Sequence, residues 1–191
     1  AICKKFAALL TDNQEHLAHV IGSETGKPLW EARTEIGAMV GKIAISVGAY
    51  ESRTGVTSQE SAIGTSVLRH KPHGVVAVFG PYNFPGHLPN GHIVPALIAG
   101  NTILLKHSQY TTGCALKIQE AIDAAWYNEH LFQVLLIASH QVDEVISHPA
   151  VAGVSLTGSE SAGRSVAALA GRNIKMSILE LGGSNAMIVD E

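Results

Sequence analysis

Residues 75–85 read VVAVFGPYNFP, and this stretch decides the fold class of the chain. A β-branched apolar run that ends at Gly80 and Pro81 is typical of a buried strand followed by a tight turn. Ligand sites in parallel α/β sheets lie at the carboxyl ends of such strands. Asn83 stands between two prolines, so its neutral amide donor sits on a stiff backbone that suits stabilisation of a developing oxyanion. The alternative is an asparagine that serves only the turn.

Strand patterns and helical patterns alternate from residue 67 onward. Strand–helix–strand repetition predicts βαβ crossovers and an α/β fold, with a mostly parallel sheet that has helices on both faces. Residues 1–55 precede the sheet as an α-helical segment, with one amphipathic helix through Phe6, Leu9, Leu10 and Leu17. The predicted strands are 75–79, 102–105, 132–137, 151–156, 176–179 and 187–189, and the predicted helices between them are 88–98, 112–125, 142–147 and 161–170.

The composition excludes several classes of function. The chain has 191 residues, of which 46% are hydrophobic. This is enough to bury a hydrophobic core and corresponds to about one domain. A net charge of -3 gives no basis for binding nucleic acid or an anionic membrane, and no apolar run is long enough to span a bilayer. Only two cysteines are present, Cys3 and Cys114, which predicts a reducing, cytoplasmic location rather than a disulfide framework.

A glycine-containing turn follows the predicted strand at 151–156. Gly158 and Gly163 let the backbone approach a ligand, and the helix that follows presents free N–H groups to an anion. The turn nearly fits the P-loop pattern G-x-x-x-x-G-K-S, with Arg164 in place of the lysine. The other alternative is a simple helix N-cap formed by Thr157 or Ser159.

Two charged residues end other predicted strands. Lys106 is placed to donate to ribose hydroxyls or a phosphate, although a lysine whose stem lies along the sheet edge is the alternative. Glu180 stands among apolar residues and before two glycines, as a general base for water requires, with an edge carboxylate bonded to backbone amides as the alternative. No metal site is predicted, because the ten histidines lack carboxylate or cysteine partners at ligand spacing.

Several motifs, in order along nearly the whole chain, resemble the aldehyde dehydrogenase superfamily. Up to about residue 105 the resemblance is strongest to members that oxidise succinylglutamate semialdehyde in arginine catabolism. The later part is more similar to members that oxidise succinate semialdehyde. The matching motifs are ETGKP at 24–28, GPYNFP at 80–85, PALIAGNT at 95–102, LTGS at 156–159 and LELGG at 179–183.

The resemblance implies a role for each candidate residue. Asn83 would be the oxyanion-hole asparagine, and Glu180 the general base that activates the deacylating water. Lys106 would bind the adenine-side ribose of NAD or NADP, and residues 158–163 would lie under the pyrophosphate. The residues implied for cofactor binding are Phe79, Gly80, Pro81, Tyr82, Lys106, Ser108, Gln109, Thr157, Gly158, Ser159, Glu160, Ser161, Ala162, Gly163, Leu181 and Gly182, the last two beside the nicotinamide.

The resemblance also implies a domain plan and partners. Residues 1–55 would be a helical part of the cofactor-binding domain, 56–70 a polar connector or oligomerisation arm, and 71–191 a Rossmann-like NAD(P)-binding domain. The full-length enzyme would be a homo-oligomer, a dimer or tetramer. Hydride would pass from the cysteine-bound thiohemiacetal of a small acidic semialdehyde to the cofactor.

Two of the places where the chain departs from the family pattern affect the functional prediction. The catalytic cysteine would follow Glu191, since neither cysteine of the chain matches it, so the chain is expected to be an inactive part of a longer enzyme. Lys106 is followed by His107-Ser108-Gln109 where Pro-Ser-Glu is usual, which leaves the choice between NAD and NADP open. A P-loop-like nucleotide-binding protein and an inert oligomerisation module remain as alternatives.

Overall fold

The computed structural model describes residues 1–126 and 130–190. A short 3-10 turn at Ser139–Gln141 precedes the sixth helix. The helices are α1 (Ile2–Asp12), α2 (Gln14–Thr25), α3 (Leu29–Arg53), α4 (His87–Ile98), α5 (Thr112–Trp126), α6 (Val142–Ser147) and α7 (Glu160–Arg172). The strands are β1 (Val56–Ser61), β2 (Gly64–Arg69), β3 (Val75–Phe79), β4 (Thr102–Lys106), β5 (Phe132–Val134), β6 (Val151–Gly158) and β7 (Met176–Leu181).

Five of the strands form one parallel sheet in the order β5-β4-β3-β6-β7. The chain moves outward from β3 through β4 to β5, and then returns to the other side of β3 to form β6 and β7. The strand order therefore reverses between β3 and β6, which makes this the topological switch point of the sheet. The predicted fold class is confirmed.

Both faces of the sheet are covered by helices. On one face, α4 and α5 pack together with the N-terminal helices around Met39, Ile93, Ile103 and Ile118. On the other face, α6 and α7 enclose a smaller core. The members of that smaller core are Ala77, Phe79, Ile146, Val151, Val154, Leu156, Val166 and Ala170. Each face buries alternate residues of the central strands, as a two-sided parallel sheet requires.

The predicted single N-terminal helix is wrong at Asn13. The structure has two helices there, α1 and α2, with Asn13 between them. Its side-chain Nδ2 donates to the carbonyl oxygen of Leu9 at 2.8 Å, which offers the backbone a local alternative to continued helix. The apolar stripe survives the break, because Phe6, Leu10 and Leu17 all remain buried.

Two predicted strands also differ from the structure. The strand predicted at 132–137 ends at Val134, because β5 is an edge strand that pairs with β4 over three residues only. The strand predicted at 187–189 is wrong: this segment has no strand structure, and Ile188 is 93% exposed. Within the described residues no neighbouring strand is placed to pair with it, and an apolar run without a partner does not form a ladder.

The polar connector is a β-hairpin. Strands β1 and β2 pair antiparallel from Val56 opposite Arg69 to Ser61 opposite Gly64, and all residues of both strands are exposed. Because this stretch is polar, the sequence analysis predicted a connector here and not two strands. Across residues 1–126 and 130–190, no helix combines the length and the apolar character that crossing a bilayer demands.

Candidate functional site

The carboxyl ends of four strands place the predicted site residues along one edge of the sheet. Phe79 at the end of β3 pairs in register with Lys106 of β4 on one side and Leu156 of β6 on the other. Thr157 of β6 then pairs with Glu180 of β7. Because neighbouring strands lie about 4.8 Å apart, Lys106 and Glu180 stand only three strand spacings from each other.

A cleft of about 450 Å³ opens at this edge, on the face covered by α6 and α7. It lies beside the switch point between β3 and β6, where open α/β sheets bind ligands. Burial lowers the pKa of Lys106, which lines the cleft, below the usual value of a lysine. Predicted cofactor residues in the lining are Phe79, Gly80, Lys106 and Ala162, and lining residues that the sequence prediction missed include Ser139, His140 and Asp143.

The start of α7 offers backbone donors beside this cleft. Ser159 is the N-cap: its Oγ accepts the N–H of Ala162 at 3.2 Å, and its carbonyl oxygen accepts the N–H of Gly163 at 2.9 Å. Ser159 therefore caps the helix, and this cap is compatible with an anion site at the same helix start. The N–H groups of Glu160 and Ser161 belong to the same first turn and are the donors that an anion could take.

Arg164 does not act as a P-loop lysine in this structure. Its guanidinium forms an ion pair with Glu160 one turn earlier in α7, and both side chains are largely exposed. The pair holds the cation on the solvent side of the helix. The P-loop alternative therefore gains no support from the structure.

Gly163 lies where α7 packs closely against β7. A Cβ at this position would lie 2.6 Å from Cδ2 of Leu181, far inside van der Waals contact. The glycine thus allows α7 to pack closely against β7. Leu181, predicted to lie beside the nicotinamide, fills the space that a side chain at 163 would need. Gly182, its predicted neighbour in that role, has open space around it.

Asn83, the predicted donor to the oxyanion, lies in an exposed turn that is followed by buried residues. Asn83 and Tyr82 are exposed, whereas Pro85 and Gly86 directly after them are buried. The Oδ1 of Asn83 accepts the N–H of Phe84 at 3.1 Å. This bond occupies the oxygen of the amide, so Nδ2 is the group that Asn83 can offer as a donor.

Glu180 projects from the opposite face of β7 to Leu181, because side chains alternate along a strand. It shares this face with Met176 and Ile178, which line a second cavity of about 360 Å³ together with His92 of α4. Burial lowers the pKa of His92, and the carboxylate of Glu180 opposes that shift. Glu180 itself is exposed rather than surrounded by apolar side chains, since β7 is the edge of the sheet among the described residues.

The turn after Lys106 places Gln109 at the exposed rim of the strand edge. The carbonyl oxygen of Ser108 accepts both the N–H and the hydroxyl of Thr111, at 3.0 and 3.2 Å, which closes the turn before α5. His107, in the place of the usual proline, is buried. The side chain of Gln109 is therefore open to solvent, and its contact with a ribose stays a prediction.

Neither cysteine is placed as a nucleophile. Cys3 is partly buried on α1, and Cys114 is fully buried in α5. Burial and the carboxylates of Glu35 and Glu24 raise the pKa of Cys114 well above the ordinary value of a thiol. A thiol in that setting stays protonated at neutral pH and is inert.

The fold and the strand-edge cleft are those of an open α/β protein of the dinucleotide-binding type. The chain belongs to the aldehyde dehydrogenase family, whose model matches residues 1–191. It is 48% identical over 192 residues to the N-succinylglutamate 5-semialdehyde dehydrogenase of Burkholderia ambifaria (strain MC40-6), with 100% of this chain and 39% of that protein covered. The chain thus spans well under half of the length of this curated relative.

Solved structures give the same family. The succinic semialdehyde dehydrogenase of Streptococcus pyogenes, in complex with NADP+, superposes with a TM-score of 0.90 at 30% identity, covering 96% of this chain and 40% of that one. An NAD-dependent aldehyde dehydrogenase from Sinorhizobium meliloti superposes with a TM-score of 0.88 at 30% identity, covering 95% and 37%. The predicted superfamily is confirmed, and its solved relatives include users of both cofactors.

Replacing Gly158 by valine tests the anion site. A Cβ at 158 would meet the side chain of Leu156, with Cδ1 nearest at 3.5 Å, which is ordinary van der Waals contact, so the variant is expected to fold. The branched side chain would nevertheless stand between the backbone and a phosphate group. We expect calorimetry on a full-length enzyme that contains these residues to show NAD(P)+ affinity lowered by about a hundredfold or more, equivalent to about 2.7 kcal/mol.

Gly171→Val is the matched control, because a Cβ there meets nothing within 4 Å and the residue lies at the far end of α7. The control is expected to bind the cofactor normally. A folded Gly158→Val enzyme with unchanged affinity would mean that the cofactor phosphates bind elsewhere.

Proposed function

We propose that this chain is the cofactor-binding part of an NAD(P)+-dependent aldehyde dehydrogenase, which oxidises a small acidic semialdehyde to the carboxylate. The observation that carries the proposal is the register of the sheet. It aligns Lys106, the Asn83 turn, the α7 N-terminus and Glu180 along one edge, next to a cleft at the switch point.

The cleft and its neighbours fit a dinucleotide. The N–H groups of Glu160 and Ser161 are donors for the pyrophosphate, and the dipole of α7 favours negative charge there. Lys106 lines the cleft together with Phe79 and Gly80, and the exposed Gln109 follows it at the strand edge. We assign Lys106 and Gln109 to the hydroxyl groups of the adenine-side ribose. When bound, NAD or NADP supplies the hydride acceptor for the oxidation.

Each candidate catalytic residue has one task. Nδ2 of Asn83 donates a hydrogen bond to the oxyanion that forms when the aldehyde carbonyl is attacked by a cysteine thiolate of the remaining part of the enzyme. Loss of hydride to the bound cofactor would convert the resulting thiohemiacetal into a thioester. Glu180 takes a proton from the water that then attacks this thioester, and its exposure on the sheet edge gives water access to the carboxylate. His92 of α4 lies on the same face of the sheet as Glu180, close enough for the carboxylate to raise its pKa against the effect of burial.

The substrate class rests on the relatives. The similar curated protein acts, by its name, on N-succinylglutamate 5-semialdehyde, and the S. pyogenes enzyme acts on succinic semialdehyde. Both are small aldehydes that carry carboxylates. We therefore assign a substrate of this kind to the enzyme that contains this chain. We also propose that this enzyme works in the cytoplasm and has no nucleic acid or membrane partner.

The hairpin of β1 and β2 supports the proposal of a homo-oligomer. A two-stranded hairpin that is exposed on both faces is only marginally stable in water, so it needs another surface to pack against. Ile63 at its tip is 99% exposed and Leu68 is 58% exposed. Residues 56–70 fit an arm that packs on a second copy of the same enzyme, in a dimer or a tetramer.

Replacing Asn83 by alanine tests the catalytic assignment. In a full-length enzyme that contains these residues, the loss of one oxyanion donor is expected to lower kcat by about a hundredfold, or about 3 kcal/mol. The affinity for NAD(P)+ should stay the same, because Asn83 does not line the cofactor cleft. Asn13→Ala, on an exposed residue far from the sheet edge, should change neither value. A kcat of Asn83→Ala within twofold of the parent would reduce Asn83 to a turn residue.

Replacing Gln109 by glutamate tests the ribose assignment. A carboxylate at 109 would accept hydrogen bonds from ribose hydroxyls and repel a 2′-phosphate next to Lys106. We expect the ratio of the NADP to the NAD dissociation constant to rise by about tenfold, or about 1.4 kcal/mol. Gln14→Glu adds the same charge on α2 and should leave the ratio unchanged. An unchanged ratio for Gln109→Glu would show that residue 109 does not contact the ribose.

A further inference from the structure

The N-terminal helical segment reaches the candidate active site through one buried carboxylate. Glu35 of α3 has a side chain that is 0% exposed. Its Oε1 accepts the backbone N–H of Gly86 at 2.8 Å and that of His87 at 3.0 Å. These two N–H groups stand at the start of α4, immediately after the Asn83 turn. The carboxylate therefore fixes the point at which the turn becomes a helix.

Lys27 holds the same turn from its other side. Its Nζ lies 2.7 Å from Oε2 of Glu35 and 3.8 Å from the centroid of the Phe84 ring. An ammonium group at that distance from an aromatic ring is attracted to the ring. Phe84 directly follows Asn83 and donates its N–H to the side chain of Asn83. One ion pair thus contacts the turn on both sides of Pro85.

The packing around Glu35 leaves the turn little freedom. A Cβ at Gly86 would lie 2.6 Å from Sδ of Met39 and 3.3 Å from Oε1 of Glu35, so only a glycine allows this approach. Catalytic donors have to be held within about 0.5 Å of their productive position. The only side-chain bond of Asn83 among the described contacts is local, to Phe84. The position of its Nδ2 therefore depends on where Phe84 and Gly86 are held.

We infer that Glu35 and Lys27 are positioning residues that hold Nδ2 of Asn83 at the site of the developing oxyanion. They act through the turn and do not touch the substrate. The inference rests on the proposed role of Asn83. It adds that a buried ion pair in the helical segment sets the turnover number of the enzyme without taking part in cofactor binding.

Glu24 provides a matched control within the same segment. Its carboxylate accepts the N–H groups of Gly113 at 2.6 Å and Cys114 at 2.9 Å, at the start of α5. Glu24 is thus a second carboxylate from the N-terminal helices that caps a helix packed on the sheet. Among the described residues no hydrogen bond joins this cap to the Asn83 turn, so Glu24→Gln reports what the loss of a similar cap does to the scaffold.

The test is a double-mutant cycle in a full-length enzyme that contains these residues. Glu35→Gln, which keeps an acceptor oxygen but removes the charge, is expected to lower kcat by about tenfold and to change the NAD(P)+ dissociation constant by less than about twofold. In the Asn83→Ala background the same substitution should lower kcat by no more than about twofold further, because the donor it positions is already gone. Glu24→Gln should leave kcat within about twofold of the parent.

Two further variants keep the test decisive if Glu35→Gln folds poorly. Lys27→Met combined with Glu35→Gln removes both charges, so no unpaired charge is buried. Phe84→Leu leaves the ion pair intact and removes only the ring under Lys27. Both are expected to lower kcat by about threefold to tenfold at unchanged cofactor affinity.

The outcomes separate the two claims. A full loss from Glu35→Gln in the Asn83→Ala background, an unchanged kcat in the folded Lys27 and Phe84 variants, or an equal loss in Glu24→Gln would overturn the positioning role. An unchanged kcat in Asn83→Ala alone would overturn the proposed function of the site first, whatever the Glu35 variants do.

Discussion

The ion pair between Lys27 and Glu35 is the interaction on which the arrangement of the strand edge depends. Both side chains are buried, at 8% and 0% exposure, and removal of one partner of such a pair costs about 3–5 kcal/mol. The carboxylate caps α4, and Glu24 caps α5 in the same way. Helices that contribute no predicted catalytic group therefore fix how two of the sheet's loops leave their strands.

The sheet divides the proposed chemistry between its two faces. The cleft beside α6 and α7 contains Lys106 and the start of α7, whereas Glu180 projects toward the α4 face, on the side of His92. The strand order reverses between β3 and β6, so the two faces meet at the ends of these strands. A dinucleotide in the cleft would extend toward the carboxyl ends of β3 and β6, where the Asn83 turn lies.

Sequence patterns predicted what local forces determine. The central strands, the helices after them and the cap at Ser159 all follow from apolar runs, glycine and N-cap residues, and the motifs of the resemblance placed the candidate residues at the strand ends. Two of the failures concern partners distant in the chain. Residues 187–189 look like a strand but have no strand beside them within residues 1–126 and 130–190, and the partners of Glu35 lie about fifty residues away. One signal for Glu35 was present: it is a charge on the apolar stripe formed by Ala32, Ile36 and Met39.

The whole proposed arrangement depends on the cofactor binding at the strand edge on the α7 side. The most direct test is a crystal structure of a full-length enzyme that contains these residues, determined with NADP+ bound. We expect pyrophosphate oxygens within hydrogen-bond distance of the N–H groups of Glu160 and Ser161, and a ribose hydroxyl or the 2′-phosphate on Nζ of Lys106. A cofactor bound instead in the cavity between α4 and β7, with the start of α7 free of phosphate, would contradict it.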